Sequence, residues 1–348
     1  MIDSARFTSL VDERLSRVIR RERDTYGNLD GHVAWVLDEI HRLATAGGKR
    51  MRPEFAHLGW IAAGGEPCAQ TAVNVGAALE LLHLSALVHD DVIDGAATRR
   101  GSDTVHVRVA RDHRERGWTG EERRISEGAA VLAGNITLAM ADAALGDVNA
   151  AARKQWTRVR IEVNLGQYMD LLGAASRDLD PDRVLLVMGM KTAKYTVERP
   201  LRMGAAAAAG PDEEWVVDSL GTFGELLGIA FQLRDDVLGV FGHQEVTGKP
   251  VGDDLREGKT TMLIAQSLVR ADAAQQAVLA RVGSPDLTDD EIAEIQQVII
   301  DTGGLRVVEN DITGFRDKAL GLIEHHDFPF GAVEELRAIA HRVTSRDY

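Results

Sequence analysis

The sequence predicts an all-α protein. Apolar positions recur at helical spacing along most of the 348 residues, convincing alternating strands are hard to find, and Gly and Pro fall mainly between the periodic stretches. Hydrophobic residues make up 45% of the chain and aromatic ones only 5%, a composition that suits helices packed close together. Taken in order, 7–23 reads as an amphipathic helix with a charged face, and 31–46 as a second. Residues 72–94 form a long apolar helix ending in a cluster of aspartates. Helical spacing continues over 128–145, 151–172, 183–209, 213–240, 262–282, 291–302, 304–325 and 331–346. Two charge-rich segments, 95–127 and 242–259, break the pattern. Each directly follows an aspartate cluster, which marks it as a functional loop and not a linker. No low-complexity segment interrupts the chain, so 1–348 is expected to be a single domain, a bundle of roughly ten or more helices.

Bulk properties narrow the partners. A formal net charge of −14 argues against a nucleic-acid partner. One cysteine, Cys68, excludes an intrachain disulfide and fits a reducing compartment. The first residues, Met1 to Arg6, lack the apolar stretch of a signal peptide. No uninterrupted apolar run approaches the roughly 18 residues of a membrane span, and the run Ala205 to Ala209 is better read as a close helix contact. The expectation is a soluble cytoplasmic protein without an integral membrane segment.

Two aspartate clusters carry the chemistry. The first is Asp90-Asp91-Val92-Ile93-Asp94, followed by Arg99-Arg100-Gly101. The second is Gln232-Leu233-Arg234-Asp235-Asp236-Val237-Leu238-Gly239, followed by Lys249 and Lys259. On a helix, Asp90 and Asp94 lie one above the other, with Asp91 about 100° around the cylinder. Like charges at that spacing destabilise a helix by a few tenths of a kcal/mol, and acids are unfavourable at a helix C-terminus. A cation explains the cluster better than stability does. Mg²⁺ takes oxygen ligands, typically one or two carboxylates plus substrate phosphates. Arginines just beyond supply the anion-binding half, because the guanidinium fork suits phosphate. The residues therefore read as a metal–diphosphate site.

Six ordered blocks resemble the trans-isoprenyl diphosphate synthases of the polyprenyl synthetase family, over essentially the whole chain. They are Gly47-Gly48-Lys49-Arg50-Met51-Arg52-Pro53; Glu80-Leu81-Leu82-His83; the first cluster with Arg99-Arg100-Gly101; Gly166-Gln167 with Asp170; Lys191-Thr192; and the second cluster with Lys249 and Lys259. The likeness implies an isoprenoid-synthase bundle around a central cavity, a homodimer, and condensation of isopentenyl diphosphate with an allylic diphosphate (dimethylallyl, geranyl or farnesyl). It implies Mg²⁺, for which Mn²⁺ can stand in. Carried over, Asp90, Asp94 and Asp235 ligate the metal, with Asp91 and Asp236 in support. Arg99 grips the allylic diphosphate and Arg100 the isopentenyl diphosphate. Lys49 and Arg52, three apart and so on one face of a helical turn, join His83 at the isopentenyl diphosphate site. Lys191, Thr192, Gln232, Lys249 and Lys259 match allylic-diphosphate and carbocation-facing positions. Gln167 and Asp170 are either ligands or supports for ligands. Two places depart from the family's pattern: Gly239 stands where a third aspartate is common, and Gly134-Asn135 where Gly-Asp is frequent.

In this family, bulky aromatics at the fourth and fifth residues before the first aspartate stop the growing chain early. Here those residues are Ala86 and Ser85, both small. The resemblance thus favours geranylgeranyl diphosphate (C20), most like the bacterial synthases of that product, with Leu138 and Met140 as other candidates for the cavity floor. A polyprenyl synthase of C25 or more is the alternative. A non-catalytic subunit of a heteromeric synthase is suggested only by Gly239.

Overall fold

The computed structural model describes residues 4–99, 101–176, 179–210, 214–242, 251–284, 286–324 and 328–345. It bears out the all-α expectation. Backbone proximity separates two compact units, residues up to 60 with 65–150, and 61–64 with the chain from 151 onward.

In the first unit, α1 (Ser4–Tyr26) buries Phe7, Val11, Leu15, Val18 and Ile19, one stripe at helical spacing. Asp30 stops the chain and starts α2 (Gly31–Thr45) by accepting the His32 amide at 2.7 Å. Helix α3 (Met51–Ala62) was not foreseen. Phe55, Ala56, His57, Leu58, Trp60 and Ile61 are all buried, so it lacks the polar face whose periodicity reveals a helix. Helix α4 (Gln70–Ile93) is the centre of the unit, packed against α1 and against α6 (Glu122–Leu145). The charge-rich segment 95–127 is not one loop, which corrects the expectation. It holds a two-residue hairpin, β1 (Thr98–Arg99) with β2 (Ser102–Asp103), then α5 (Val105–Glu115) and the start of α6. Buried Val105, Val109 and His113 anchor α5, too few apolar positions to stand out among its arginines.

The second unit opens with α7 (Ala150–Ser176). The helix expected over 183–209 is three segments: α8 (Pro181–Met188), a π-helix (Gly189–Glu198) and α9 (Arg199–Ala208). Helix α10 (Glu214–Phe241) buries Leu220, Phe223, Leu227, Ala230, Leu233 and Val237. After α11 (Asp253–Glu257) the helix expected over 262–282 is broken into α12 (Met262–Arg270) and α13 (Ala273–Leu279). A capping box breaks it: Asp272 accepts the Gln275 amide at 2.9 Å while its own amide donates to Gln275 at 3.0 Å. Helices α14 (Asp289–Asp301), α15 (Gly304–Glu324) and α16 (Phe330–Thr344) follow. Leu233 and Val237 of α10 share a core with Leu263, Ile264, Ile295, Ile299, Val308 and Ile312.

Three helices, Gln70–Ile93, Glu122–Leu145 and Glu214–Phe241, are long and apolar enough to cross a membrane by length and composition. This corrects the expectation that no stretch comes near. Small residues such as Ala, Gly and Ser interrupt a continuous apolar run while lowering the average little. The most apolar stretches of α4 and α10 are 72% and 61% buried within the protein, and that of α6 44%.

Candidate active site

The first cluster sits where α4 ends. The Asp94 amide still donates to the Asp90 carbonyl at 2.8 Å, so helical register persists and the two residues stack one turn apart. Asp94 is exposed, Asp90 half-buried and Asp91 buried. Arg99, delivered by the hairpin, folds back on the pair beneath it. Its Nε donates to Asp91 Oδ1 at 2.5 Å and its Nη2 lies 3.5 Å from Asp90 Oδ2. Burial pushes the Asp91 carboxyl up, and the Arg99 guanidinium opposes that rise. The repulsion foreseen at this helix end is thus partly relieved by an arginine. Hard oxygen donors fit Mg²⁺. Among the described residues no three acidic, histidine or cysteine side chains converge to hold a metal by themselves, which fits a cation that takes further ligands from phosphate and water.

Lys49 and Arg52 do not share a helical turn, contrary to expectation. Helix α3 begins at Met51, and Lys49 is exposed in the loop before it. Between them Arg50 adopts a left-handed conformation, φ 47°, and is buried. Its Nη1 donates to Glu80 at 2.6 Å, its Nε to Asp12 at 2.9 Å and its Nη2 to the Ala44 carbonyl at 2.8 Å. This buried pair pins the loop that presents Lys49. The sequence contained a signal for it, since Glu80 is an acid inside the apolar run Leu79-Glu80-Leu81-Leu82. His83, one turn on, shares a small cleft with Arg50, Glu80, Leu15 and Leu87. Ser85 is buried and Ala86 half-buried, a turn before Asp90. The Gly134 departure has a steric account: a Cβ there would lie 2.2 Å from His89 Nε2, while Asn135 is exposed.

In the second unit the π-helix carries Lys191 and Thr192. Wide π turns are rare and concentrate at functional sites. Helices α7 and α10 approach its backbone at glycines. A Cβ on Gly166 would come 2.5 Å from the Lys191 amide nitrogen, and one on Gly228 2.7 Å from the Ala193 carbonyl oxygen. Lys191 Nζ donates to Asp170 Oδ2 at 2.5 Å, so Asp170 positions the lysine. On α10, Asp235 is exposed and Asp236 buried. Gln232 Nε2 donates to Asp236 Oδ1 at 2.7 Å, which directs the amide to Asp236. Burial pushes the Asp236 carboxyl up to about 8; the Gln232 bond opposes the rise, and the charges of Asp254 and Asp235 add to it. Lys259 Nζ donates to Asp254 Oδ1 at 2.5 Å and lies 2.9 Å from Glu257 Oε2. Burial acts to lower its pKa, but these carboxylates hold it above the ordinary lysine value. Arg100 and Lys249 lie outside the described residues.

One side chain in the second cluster was passed over as a spacer. Arg234 is buried; its Nε donates to the Thr344 carbonyl at 2.9 Å, and its Nη1 and Nη2 to the two oxygens of Glu309 at 2.8 and 2.7 Å. It ties the aspartate-bearing helix to α15 and α16.

A family model described as polyprenyl synthetase matches residues 33–299. A geranylfarnesyl diphosphate synthase of Aeropyrum pernix is 31% identical over 290 residues, covering 81% of this chain and 84% of that one. The heptaprenyl diphosphate synthase component 2 of Geobacillus stearothermophilus is 31% identical over 340 residues, covering 97% and 95%. The crystal structure of a geranylgeranyl pyrophosphate synthase from Corynebacterium glutamicum, complexed with isoprenyl diphosphate and magnesium, matches with a TM-score of 0.91 and 34% identity, covering 100% of both chains. An all-α fold with these likenesses defines an enzyme of the prenyltransferase class. The chain belongs to the polyprenyl synthetase family, and its activity is that of a trans-prenyl diphosphate synthase.

Proposed function

We propose that the chain condenses isopentenyl diphosphate with an allylic diphosphate to all-trans geranylgeranyl diphosphate, using Mg²⁺. The observation that carries the product assignment is the pair of small residues, Ser85 and Ala86, directly below Asp90 on α4. Mg²⁺, when bound, neutralises the diphosphate charge and makes it a better leaving group. Asp90, Asp94 and Asp235 hold it, with Asp91 and Asp236 in support. Arg99, now on Asp90 and Asp91, has the fork to move onto the allylic diphosphate once the carboxylates meet a cation. Lys191, held by Asp170, and Lys259, held by Asp254, add fixed positive charge for the same group. Thr192 and Gln232 face the allylic carbons, and apolar walls keep water from the carbocation. Lys49, Arg52 and His83 bind isopentenyl diphosphate, whose double bond attacks the cation before a proton is lost. Arg100 and Lys249 join the isopentenyl and allylic diphosphates respectively. Incubation of the protein with Mg²⁺, isopentenyl diphosphate and each allylic primer, with products weighed by mass spectrometry, tests this directly. A dominant C15 product, or none, would overturn it. The likeness to a geranylfarnesyl synthase favours a second reading, a product of C25 or more from the same open cavity.

Ala86→Phe or Ser85→Phe is expected to shift the product toward C15. A close-packed tunnel absorbs a phenyl ring only with strain of about 1–3 kcal/mol, which a shorter chain avoids. Turnover falls less than length changes, because the diphosphate groups are untouched. The same mass spectra check this, and an unchanged spectrum in both variants removes the tunnel from these positions.

Steady-state kinetics should also separate the two substrates. His83→Ala and Lys49→Ala are expected to raise the KM for isopentenyl diphosphate, and Lys191→Ala to impair the allylic half-reaction. A lost charge-assisted contact is worth about 1.5–3 kcal/mol, hence roughly ten- to hundred-fold. Equal effects on both substrates from all three variants would contradict the assignment.

A homodimer is supported by α7, where Ile161, Leu165, Tyr168 and Leu172 are exposed along one face at helical spacing. Isologous dimers are the usual way to cover such a face. Size-exclusion chromatography with light scattering is expected to give twice the chain mass; a monomer at micromolar concentration would exclude the dimer.

A further inference from the structure

Position 239 lies one helical turn beyond Asp235 on α10, on the same face. Glycine there leaves the second cluster one carboxylate short by sequence. The space is not empty. A Cβ at residue 239 would fall 1.8 Å from Asp254 Oδ2 and 2.5 Å from its Cγ, closer than any non-bonded contact allows. The Asp254 carboxylate therefore occupies the place that a residue-239 side chain would take, and only glycine admits it. Its oxygens are divided between two tasks: Oδ1 accepts from Lys259 Nζ at 2.5 Å, and Oδ2 lies against the bare turn of α10. The short α11 that presents it is held firmly. Leu255 is buried in the same core as Leu233 and Val237, the Leu255 carbonyl accepts the Gly283 amide at 2.8 Å, and the Lys259 amide donates to the Asp254 carbonyl at 3.1 Å. Left-handed glycines, Gly252 at φ 71° and Gly258 at φ 68°, bracket the helix.

We propose that Asp254 is the second cluster's third carboxylate, supplied across the fold from α11 because α10 has lost its own. This rests on the metal–diphosphate reading given above. It makes Gly239 an accommodation and not a lesion: a carboxylate was relocated by 15 positions in sequence while staying beside the same turn. The substitution that removes one side chain opens the space for the other.

The test titrates Mg²⁺ in the presence of inorganic diphosphate and reads the melting temperature, with the Mg²⁺ midpoint of prenyl transfer measured in parallel. Asp254→Asn, which keeps size and removes charge, is expected to raise both midpoints by about tenfold or more, the range for groups that support a metal ligand. Gly239→Asp alone, which clashes with Asp254, should be at least as impaired. The double variant Gly239→Asp with Asp254→Gly should recover most of the Mg²⁺ response, and this comparison holds even if a single variant is less stable. Asp254→Asn with wild-type midpoints, or a double variant no better than the singles, would overturn the proposal. So would Lys259→Met raising the Mg²⁺ midpoint as much as Asp254→Asn, since Asp254 would then act only by positioning the lysine. Wild-type protein that makes no prenyl diphosphate, yet loses Mg²⁺–diphosphate stabilisation in Asp254→Asn, would sink the functional reading and leave the carboxylate assignment standing.

Discussion

Asp90→Ala lowers turnover by about three orders of magnitude and leaves the fold intact. A carboxylate that holds a diphosphate-bridging cation commands several kcal/mol of charge stabilisation in the transition state, and each 1.36 kcal/mol is tenfold in rate. The fold survives because the substitution removes one of three like charges at a helix C-terminus, where acids are unfavourable. Asp91, not Asp90, is the buried partner of Arg99, at 2.5 Å, so the hairpin stays anchored. Asp235→Ala is expected to cost less, because Asp236 and Asp254 lie close by on the same side of the second unit. Rates at saturating substrates, with circular-dichroism melts beside them, check both. Turnover within tenfold of wild type in a folded Asp90→Ala would remove the aspartate from the metal site.

Arg234→Met destabilises the protein by about 3 kcal/mol, the lower end of the range for breaking a buried ion pair. The guanidinium is buried and donates three hydrogen bonds, two to Glu309 and one to the Thr344 carbonyl. Methionine fills much of the volume but leaves the carbonyl and the carboxylate without their donor. Glu309 retains some access to water, with 29% of its side chain exposed, which keeps the cost from the upper end. Urea unfolding followed by far-ultraviolet circular dichroism reads the loss as a lower midpoint. Glu309→Gln should cost less, because the amide oxygen still accepts from Arg234. A change below about 1 kcal/mol in Arg234→Met would mean that α16 does not depend on this anchor.

Arg234 shows where legibility ended. It sits between Leu233 and Asp235 in a motif that names its aspartates, and nothing in a linear pattern distinguishes a solvated arginine from one whose partners lie 75 and 110 residues away. Arg50 was hidden in the same way among basic residues that look like phosphate ligands, although its partner Glu80 is acidic, buried and two helices further on. Helix α3 was invisible because its surroundings bury it nearly all round, and α5 because its charges outnumber its apolar anchors.

The sequence by itself determined the helical class, most helix positions, the two aspartate clusters and the family, because these depend on local periodicity and on residue types at short spacing. Tertiary structure alone decided the rest. It broke the 183–209 helix with a π stretch lying against Gly166 and Gly228, bent the loop at Arg50 so that Lys49 leaves the helix, and paired Lys191 with Asp170. It also set the Asp254 carboxylate against Gly239. Each of these depends on how closely two backbones approach or on which charges share a buried space, quantities carried by residues distant in the chain and fixed only when the helices pack.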